Sequence, residues 1–468
     1  MAQSLHAQSL SAQDRPTVLI VGGGVGGLAL GLLLERAEVP YSIFERAATI
    51  KPLGSALAMG ASVASLFRQL GIYEQFTQLS LVSHKVNMRD QHCVFDYSVD
   101  FSPLTEMGGS EPRVTSRPAV YDLLQRQVPA EKINFNKKVA SLTTTDTGVR
   151  LTCTDGSEHE GDIVVGADGA NSVVRRELFA RLKEKGQLPN SDDTLLPYDC
   201  ICVVGQTGPL PLETFPEMQE ATCQSNQMVG VGNPYTWITF TTKHRTICWM
   251  ALQYFEETKH KGEDVSTEWG PEATEAMCIA VRDFPIPNGP AGSTLGTLID
   301  LTPKDLISKV TLEEKVFQTW FSGRIVLMGD ACHKLSPSGG SGAATAIHDA
   351  VCLANWINVL PAKPGVEAIE RVFHEYYNER LPIAIEQFRK SQYYAMTSSK
   401  TMTAAVVRFV QRRMPRWLWI MILRKTAVYR PQVSFLPLVK DSGTVPAAPQ
   451  NSLIKTLEIL ASRKAPDS

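Results

Sequence analysis

The chain has 468 residues, room for two or three domains, with the apolar and charged fractions of a soluble globular protein. Its formal charge of -2 argues against nucleic acid as a global partner. The nine cysteines are scattered, with no C-x-x-C pair and no His/Cys zinc spacing, so neither a disulfide framework nor a metal site is indicated.

Residues 1–15 are polar and lack an apolar centre, which reads as a disordered leader rather than a secretory signal. Then Val18, Leu19, Ile20 and Val21 form the unbroken apolar run of a strand buried on both faces. Gly22, Gly24 and Gly27 follow in G-x-G-x-x-G spacing, and residues 28–36 continue as a Leu/Ala-rich helix. Gly22 turns the chain sharply, Gly24 lets a pyrophosphate sit against the backbone, and Gly27 lets helix and sheet pack closely. The helix N-terminus offers free N–H groups to phosphate. A second strand, residues 41–44, ends in Glu45, where a carboxylate accepts from a ribose diol and repels a 2′-phosphate. The bound nucleotide is therefore FAD or NAD, not NADP.

Residues 50–60 read as a small-residue loop, 61–78 as one helix, and 84–99 as strands leaving the nucleotide domain. Arg117-Pro118 opens another helix. Residues 133–153 hold β-like segments, with a turn at Asp146-Thr147-Gly148. The apolar Ile163, Val164 and Val165 run into Gly166-Ala167-Asp168-Gly169 and a helix start, a second landmark. Residues 197–254 are rich in Val, Ile, Thr and aromatics, as in antiparallel sheet. Trp237, Phe240, Trp249 and Tyr254 are either pocket walls or core. Gly230-x-Gly232 precedes Asn233-Pro234 and reads as a strand turn, so only one dinucleotide fingerprint is present. Residues 265–282 look helical. A third apolar strand ends at Gly329-Asp330, followed by a small-residue loop to Gly342, a helix over 343–359, and a helix over 364–392 kinked near Pro382.

The last stretch is basic: residues 387–440 contain no Asp or Glu. Within it the apolar residues 417–423, opening Trp417-Leu418-Trp419, are too few for a bilayer span, which needs ~20. They form either a helical cap on the nucleotide domain or an interfacial helix touching a membrane through residues 402–425.

Three glycine-flanked strand ends in this order, Gly22/Gly24/Gly27 with Glu45, Asp168-Gly169 and Gly329-Asp330, resemble the three fingerprints of the class A FAD-dependent monooxygenases, the para-hydroxybenzoate hydroxylase-like aromatic hydroxylases. The segment RVTSRPAVYDLL over 113–124 resembles that family's R-x-x-L helix. The likeness covers most of residues 16–396 and is nearest to fungal secondary-metabolite hydroxylases and epoxidases. It implies an α/β fold: a Rossmann-like FAD-binding domain over 16–195 and 301–396, an inserted antiparallel-sheet substrate domain over 196–300 aided by 80–100, and a C-terminal helical region over 397–468. It implies that Glu45 binds the adenosine ribose, Ala58 lies in a loop on the flavin side, and Arg117 reaches the FAD phosphates. Asp168 orders FAD-binding backbone and helps position NAD(P)H, Asp330 accepts from the ribityl chain, and Gly340, Gly342 and Ala343 approach the isoalloxazine. His333 and Pro337 match the D-x-x-H-x-x-x-P loop, with a structural role preferred for His333. Where the family often has Asn the chain has Ala344, and where several fungal members have a basic residue it has Asp199, so neither contact is carried over.

The function so implied is a monooxygenase using NAD(P)H and O2, through a flavin C4a-hydroperoxide, to hydroxylate or epoxidise a lipophilic or aromatic small molecule. No catalytic residue is identified. The expected location is cytoplasmic, at a membrane surface on the interfacial reading of the tail. A flavin-dependent halogenase and a non-catalytic FAD sensor are the alternatives; the first needs a W-x-W-x-I-P-type segment, and Trp417-Leu418-Trp419 lacks its proline and stands near the wrong end of the chain.

Overall fold

A strand with no polar side chain, Val18–Val21, needs partners on both edges and cover on both faces. Tyr41–Phe44 pairs with it in parallel on one side and Ile163–Gly166 on the other, and Ile325–Leu327 pairs in parallel with Ile163–Gly166. The computed structural model describes residues 15–49, 56–145, 147–230, 233–260, 270–398 and 402–464. Among them this sheet has six strands, with Phe321–Ser322 and Ile133–Asn134 at its edges. Helix Val25–Arg36 is buried almost all round, Leu28, Leu30, Leu32, Leu33 and Leu34 included, because it packs on the sheet and on helix Gly342–Asn358. Each such leucine contributes roughly 2 kcal/mol by leaving water.

Two expected elements change form. Residues 61–78 are two helices, Ala61–Gln69 and Tyr73–Gln78, because Gly71 at φ +72° turns the chain between them. Ala58 lies in a strand, Ala56–Met59, paired antiparallel with Arg113–Ser116, rather than in a loop. The leader up to residue 14, residues 50–55, Asp146, Gly232 and residues 261–269 lie outside the described residues.

The second sheet runs, in order, Ser308–Glu313, Pro197–Gln206, Thr246–His260, Tyr235–Thr242, Ser225–Val229, Lys85–Asp90, Phe95–Asp100. It is antiparallel except where Lys85–Asp90 joins Ser225–Val229 in parallel. Its first edge strand falls beyond residue 300. Helices Pro271–Val281 and Leu295–Asp300 cover one face, and strand alternation sends Trp237 and Trp249 to that side. Trp237 Nε1 donates to Pro285 O at 2.7 Å and Trp249 Nε1 to Thr302 Oγ1 at 2.9 Å. These two aromatics are core, not pocket wall. Phe240 and Tyr254 point the other way, Phe240 against Leu81 and Val114 of the nucleotide-side strands and Tyr254 against Cys200, Leu252 and Leu312.

Helix Val366–Ser398 runs through Pro382. The tail then folds back as helices Met402–Arg412, Arg416–Ala427 and Asn451–Lys464. Asn355 pins the irregular stretch between the last two, donating to Gln432 O at 3.1 Å and accepting from Ser434 N at 2.8 Å. The middle helix buries Leu423 and Ala427 against Met107 and Val445, and Trp419 Nε1 donates to Asp100 O at 2.5 Å.

His348, on helix Gly342–Asn358, ties that helix to Ser62 O at 3.0 Å and lies edge-on to Tyr429. Burial, aided by the nearby Arg380 charge, pushes its imidazole down to about 3 from 6.5. The unfolded chain takes up this proton first as pH falls, so stability is whole above pH 6.5 and is lost toward pH 3, by ~1.4 kcal/mol per pH unit. Thermal melts of His348→Gln should show a slope shallower by one proton across that window; superimposable slopes would refute the assignment.

Candidate functional site

Four adjacent parallel strands bring their C-terminal ends to one edge of the sheet, and each end carries an expected site residue. Gly22 leaves the first strand at φ +108°, with its N–H bonded to Phe44 O at 2.9 Å. A Cβ there would lie 2.4 Å from Ala167 O, and one on Gly27 only 2.0 Å from Gly22 O. These two glycines are required by the chain's own packing. Gly24 is different: a Cβ there would find nothing nearer than Tyr121 Oη at 3.9 Å. The residue caps helix Val25–Arg36, whose first turn carries no acid, so its N–H groups face an open, electropositive space.

Glu45 does more than its position in sequence reveals. One carboxylate oxygen accepts from Gly23 N and the other from Ala47 N, both at 2.8 Å, which locks the glycine turn to the end of the second strand. Arg117 is the first residue of helix Arg117–Gln125, and its guanidinium donates to Tyr121 Oη at 3.0 Å. That hydroxyl is the atom nearest the Gly24 clearing. Burial lowers the Arg117 guanidinium, but Tyr121 and Asp330 outweigh it and leave it raised. Protein surrounds the guanidinium, yet the residue as a whole keeps enough contact with solvent to count as exposed.

Asp168 caps the following helix, its Oδ2 accepting from Val173 N at 2.7 Å and Val174 N at 3.3 Å. Oδ1 is buried with no partner in the protein, and burial holds the carboxyl above its usual range. An acceptor left bare beside the Gly22 turn fits a ligand that supplies a donor. Asp330 pairs with Lys334 Nζ at 2.6 Å. Burial pushes its carboxyl up, yet Lys334, His333 and Arg117 together leave it lowered, so it stays ionised. Gly340, at φ +61°, brings its loop against Ala58, where a Cβ would lie 3.5 Å from the Ala58 Cβ. Gly342 and Ala343 open helix Gly342–Asn358, again with no acid in the first turn, and a Cβ on Gly342 would meet nothing within 4 Å.

Two supports are missing from the sequence reading. Arg175 spans the second and third landmarks, donating to Ala331 O at 2.8 Å and Ala170 O at 2.5 Å, with its guanidinium over Phe317. Asp349, wholly buried, accepts from Gly329 N at 2.9 Å, His333 at 2.6 Å and Arg380 Nε at 2.7 Å. Burial opposes its charge, but His333 and Arg380 prevail and hold the carboxyl at about 2. A carboxylate on the buried face of an Ala/Val/Leu helix was the signal available in the sequence. Cys332, His333 and Asp349 lie within 4.8 Å of one another, but with Arg380 on the same carboxylate the group is an internal ion pair rather than a metal centre. His333, 1 % exposed and tilted against Trp320 with ring centres 5.3 Å apart, has the packed geometry of a structural residue.

The face of the second sheet away from its two helices carries Phe240, Tyr254, Leu252 and Leu312, and Phe240 packs there against Leu81 and Val114. Glu314, beside that face, meets Ser336 of the glycine loop, and burial raises its carboxyl. Asp199 is exposed at an irregularity in its strand. A groove lined by Pro211, Phe215, Pro290 and Leu301 lies on the helix-covered side, away from the strand ends. The expected site residues thus gather along one edge of the parallel sheet, an arrangement suited to an extended anionic dinucleotide.

Comparison with known proteins gives the same reading. The pattern of the FAD binding domain matches residues 15–197 and 294–391. The FAD-dependent monooxygenase ausM of Penicillium brasilianum is 30% identical over 400 residues, covering 83% of this chain and 80% of that one. The FAD-dependent monooxygenase andE of Emericella variicolor is 29% identical over 402 residues, covering 83% and 81%. In structure the chain is similar to Klebsiella pneumoniae HpxO, solved with FAD and uric acid, at TM-score 0.70 and 18% identity, over 89% of this chain and 97% of that one. By these matches, and in keeping with the geometry of the strand ends, the chain belongs to the FAD-binding domain family and is an FAD-dependent monooxygenase of the class A type.

Proposed function

We propose that FAD lies extended along the C-terminal edge of the parallel sheet, adenosine at Glu45 and isoalloxazine at Gly342, and that the enzyme uses NAD(P)H and O2 to oxidise a lipophilic or aromatic small molecule of secondary metabolism. The supporting observation is the convergence of Gly22, Glu45, Asp168 and Asp330 on the ends of four neighbouring parallel strands, where open α/β sheets bind their ligands. Glu45, oriented by the Gly23 and Ala47 N–H groups, keeps lone pairs for the ribose hydroxyls. The diphosphate occupies the Gly24 clearing, with Arg117 beside it as a bidentate donor. Asp168 Oδ1 takes a donor from the cofactor side and helps position NAD(P)H, and ionised Asp330 accepts from ribityl hydroxyls. The N–H groups of Gly342 and Ala343, at a helix N-terminus, stabilise negative charge at the pyrimidine end of the ring.

Bound FAD supplies the redox chemistry that sends one oxygen atom of O2 to the substrate and the other to water, with two electrons from NAD(P)H. The chain itself binds, orients and excludes water; Phe240 and Tyr254, backed by the buried Leu252 and Leu312, are the apolar wall for that. Domain limits near 16–195, 196–300 and 301–396 remain the working division, with Ser308–Glu313 assigned to the substrate side. Peripheral membrane contact through 402–425 suits a lipophilic substrate.

The test is an absorption spectrum of the purified protein, then nicotinamide oxidation with candidate substrates while peroxide is measured. Flavin bands and substrate-dependent oxidation with little peroxide are expected. A protein that takes up no FAD would overturn the cofactor reading, and FAD bound without any nicotinamide turnover would favour a sensor.

A further inference from the structure

Two of the three tail helices turn apolar stripes away from the protein. On Met402–Arg412, Val406, Phe409 and Val410 are 60%, 57% and 52% exposed and follow i, i+3, i+4 spacing, the spacing that normally marks a core-facing stripe. On Arg416–Ala427, Trp417 and Met421, one turn apart, are 67% and 51% exposed while Trp419 and Leu423 face inward. The hairpin tip carrying Val94 and Phe95, 62% and 52% exposed, is joined to the first of these helices by Arg412–Asp96 at 2.7 Å and Tyr97–Gln411 at 3.0 Å. Monomeric proteins rarely leave so many large apolar side chains grouped in water.

The rim of this face is cationic. Arg413 sits over the Phe409 ring at 3.9 Å, Arg416, Arg424 and Lys425 are exposed, and no acid occurs between residues 387 and 440. Long basic side chains around exposed aromatics suit a layer with anionic headgroups above and hydrocarbon below. No described helix is long and apolar enough to cross a membrane, so contact would be with one leaflet.

We propose that the outward faces of helices Met402–Arg412 and Arg416–Ala427, with the Val94–Phe95 tip, form one docking face for an anionic phospholipid surface. This extends the membrane contact proposed above by naming its residues and the lipid charge it requires. Its place in the fold gives it a use. Ser391, on the helix leading into this tail, packs against Gly339 in the loop that also contains Gly340, where a Cβ on Gly339 would lie 2.9 Å from the Ser391 Cβ. A docked molecule holds the flavin-ring end of its cleft near the bilayer, where a lipophilic substrate is concentrated.

The test is flotation of the full-length holoprotein with phosphatidylcholine vesicles, with and without phosphatidylserine. The protein should float with the phosphatidylserine vesicles, and salt should weaken the binding. Phe409→Asp with Val410→Asp, and separately Trp417→Asp, should abolish it while flavin content and melting temperature stay unchanged. Arg424→Gln and Lys425→Gln should each weaken it about fivefold. Failure of the wild type to float, or aspartate variants that float as well as wild type, would overturn the proposal. So would a concentration-dependent dimer that the same aspartates dissolve, with no vesicle binding, since the face would then serve a second copy of the chain. Yellow protein that stays off vesicles refutes only the docking face; colourless protein that floats refutes only the FAD reading.

Discussion

Gly24→Ala is expected to yield a folded protein that purifies without colour, and Gly27→Ala to yield little folded protein. The two glycines stand three residues apart in one motif, yet the space around them is opposite. A Cβ on Gly27 would sit 2.0 Å from the backbone oxygen of Gly22, which cannot retreat without undoing the turn. The cost of such overpacking is about 3 kcal/mol or more. At Gly24 the backbone is at φ -71°, open to any residue, and the added carbon meets only ordinary contact distance. The apoprotein should therefore melt as wild type does. The methyl would occupy the place proposed for the diphosphate, weakening FAD by about 2 kcal/mol, roughly thirtyfold in Kd. Flavin titration and thermal melts of both variants separate the effects. A Gly24→Ala protein that binds FAD normally would place the diphosphate elsewhere.

Arg380→Met should be the most damaging single change in the interior outside the glycine turn. Arg380 and Asp349 are both fully buried, and removing one charge strands the other; such losses run to about 3–5 kcal/mol. The pair also reaches the site, because the same carboxylate oxygen that accepts from His333 holds Gly329 N–H. Wild-type Asp349 is held at about 2, below its free value of 3.8, so its contribution is whole above pH 3.8 and fades as pH falls toward 2. In Arg380→Met that fading should begin at higher pH. The double variant Arg380→Met with Asp349→Leu should recover part of the stability, since no bare charge remains. It should not recover FAD affinity, because Gly329 has lost its acceptor. Urea midpoints and FAD titrations read the two quantities independently. Full recovery of both would reduce the network to packing alone.

The contrast between these two predictions shows what the sequence could carry. The strand–glycine–helix turns at Gly22 and Asp168 are local: apolar run, glycine and helix lie within about ten residues, and each spacing has one physical use. The role of Asp349 is not local. Its partners Gly329, His333 and Arg380 come from a strand end, a loop and a different helix, and only packing brings them together. Arg175 escaped for the same reason, since its acceptor Ala331 lies 156 residues away. Sheet faces were equally hidden. The alternation of residues 235–254 sorts Trp237 and Trp249 from Phe240 and Tyr254, but which set meets the cleft depends on helices further along the chain. The parallel entry of Lys85–Asp90 into the second sheet had no sequence mark at all. The tail, read as either cap or interface, caps the protein with the inner face of helix Arg416–Ala427, and its outer face is the one proposed for a membrane surface.

The position of strand Ile325–Leu327 also bears on how the molecule is made. It must pair with Ile163–Gly166, and the bond from Arg324 to Asp162 O closes across 162 residues, with five of the second sheet's seven strands threaded between. Emerging from the ribosome, the four parallel strands made earlier therefore wait with an open apolar edge until residues 325–327 have been made. Such long-range parallel pairing closes slowly and exposes sticky intermediates. Cofactor capture is thus one of the last events in the birth of the molecule, and yield should respond to flavin supply and to slower, cooler synthesis more than to any refinement of its surface.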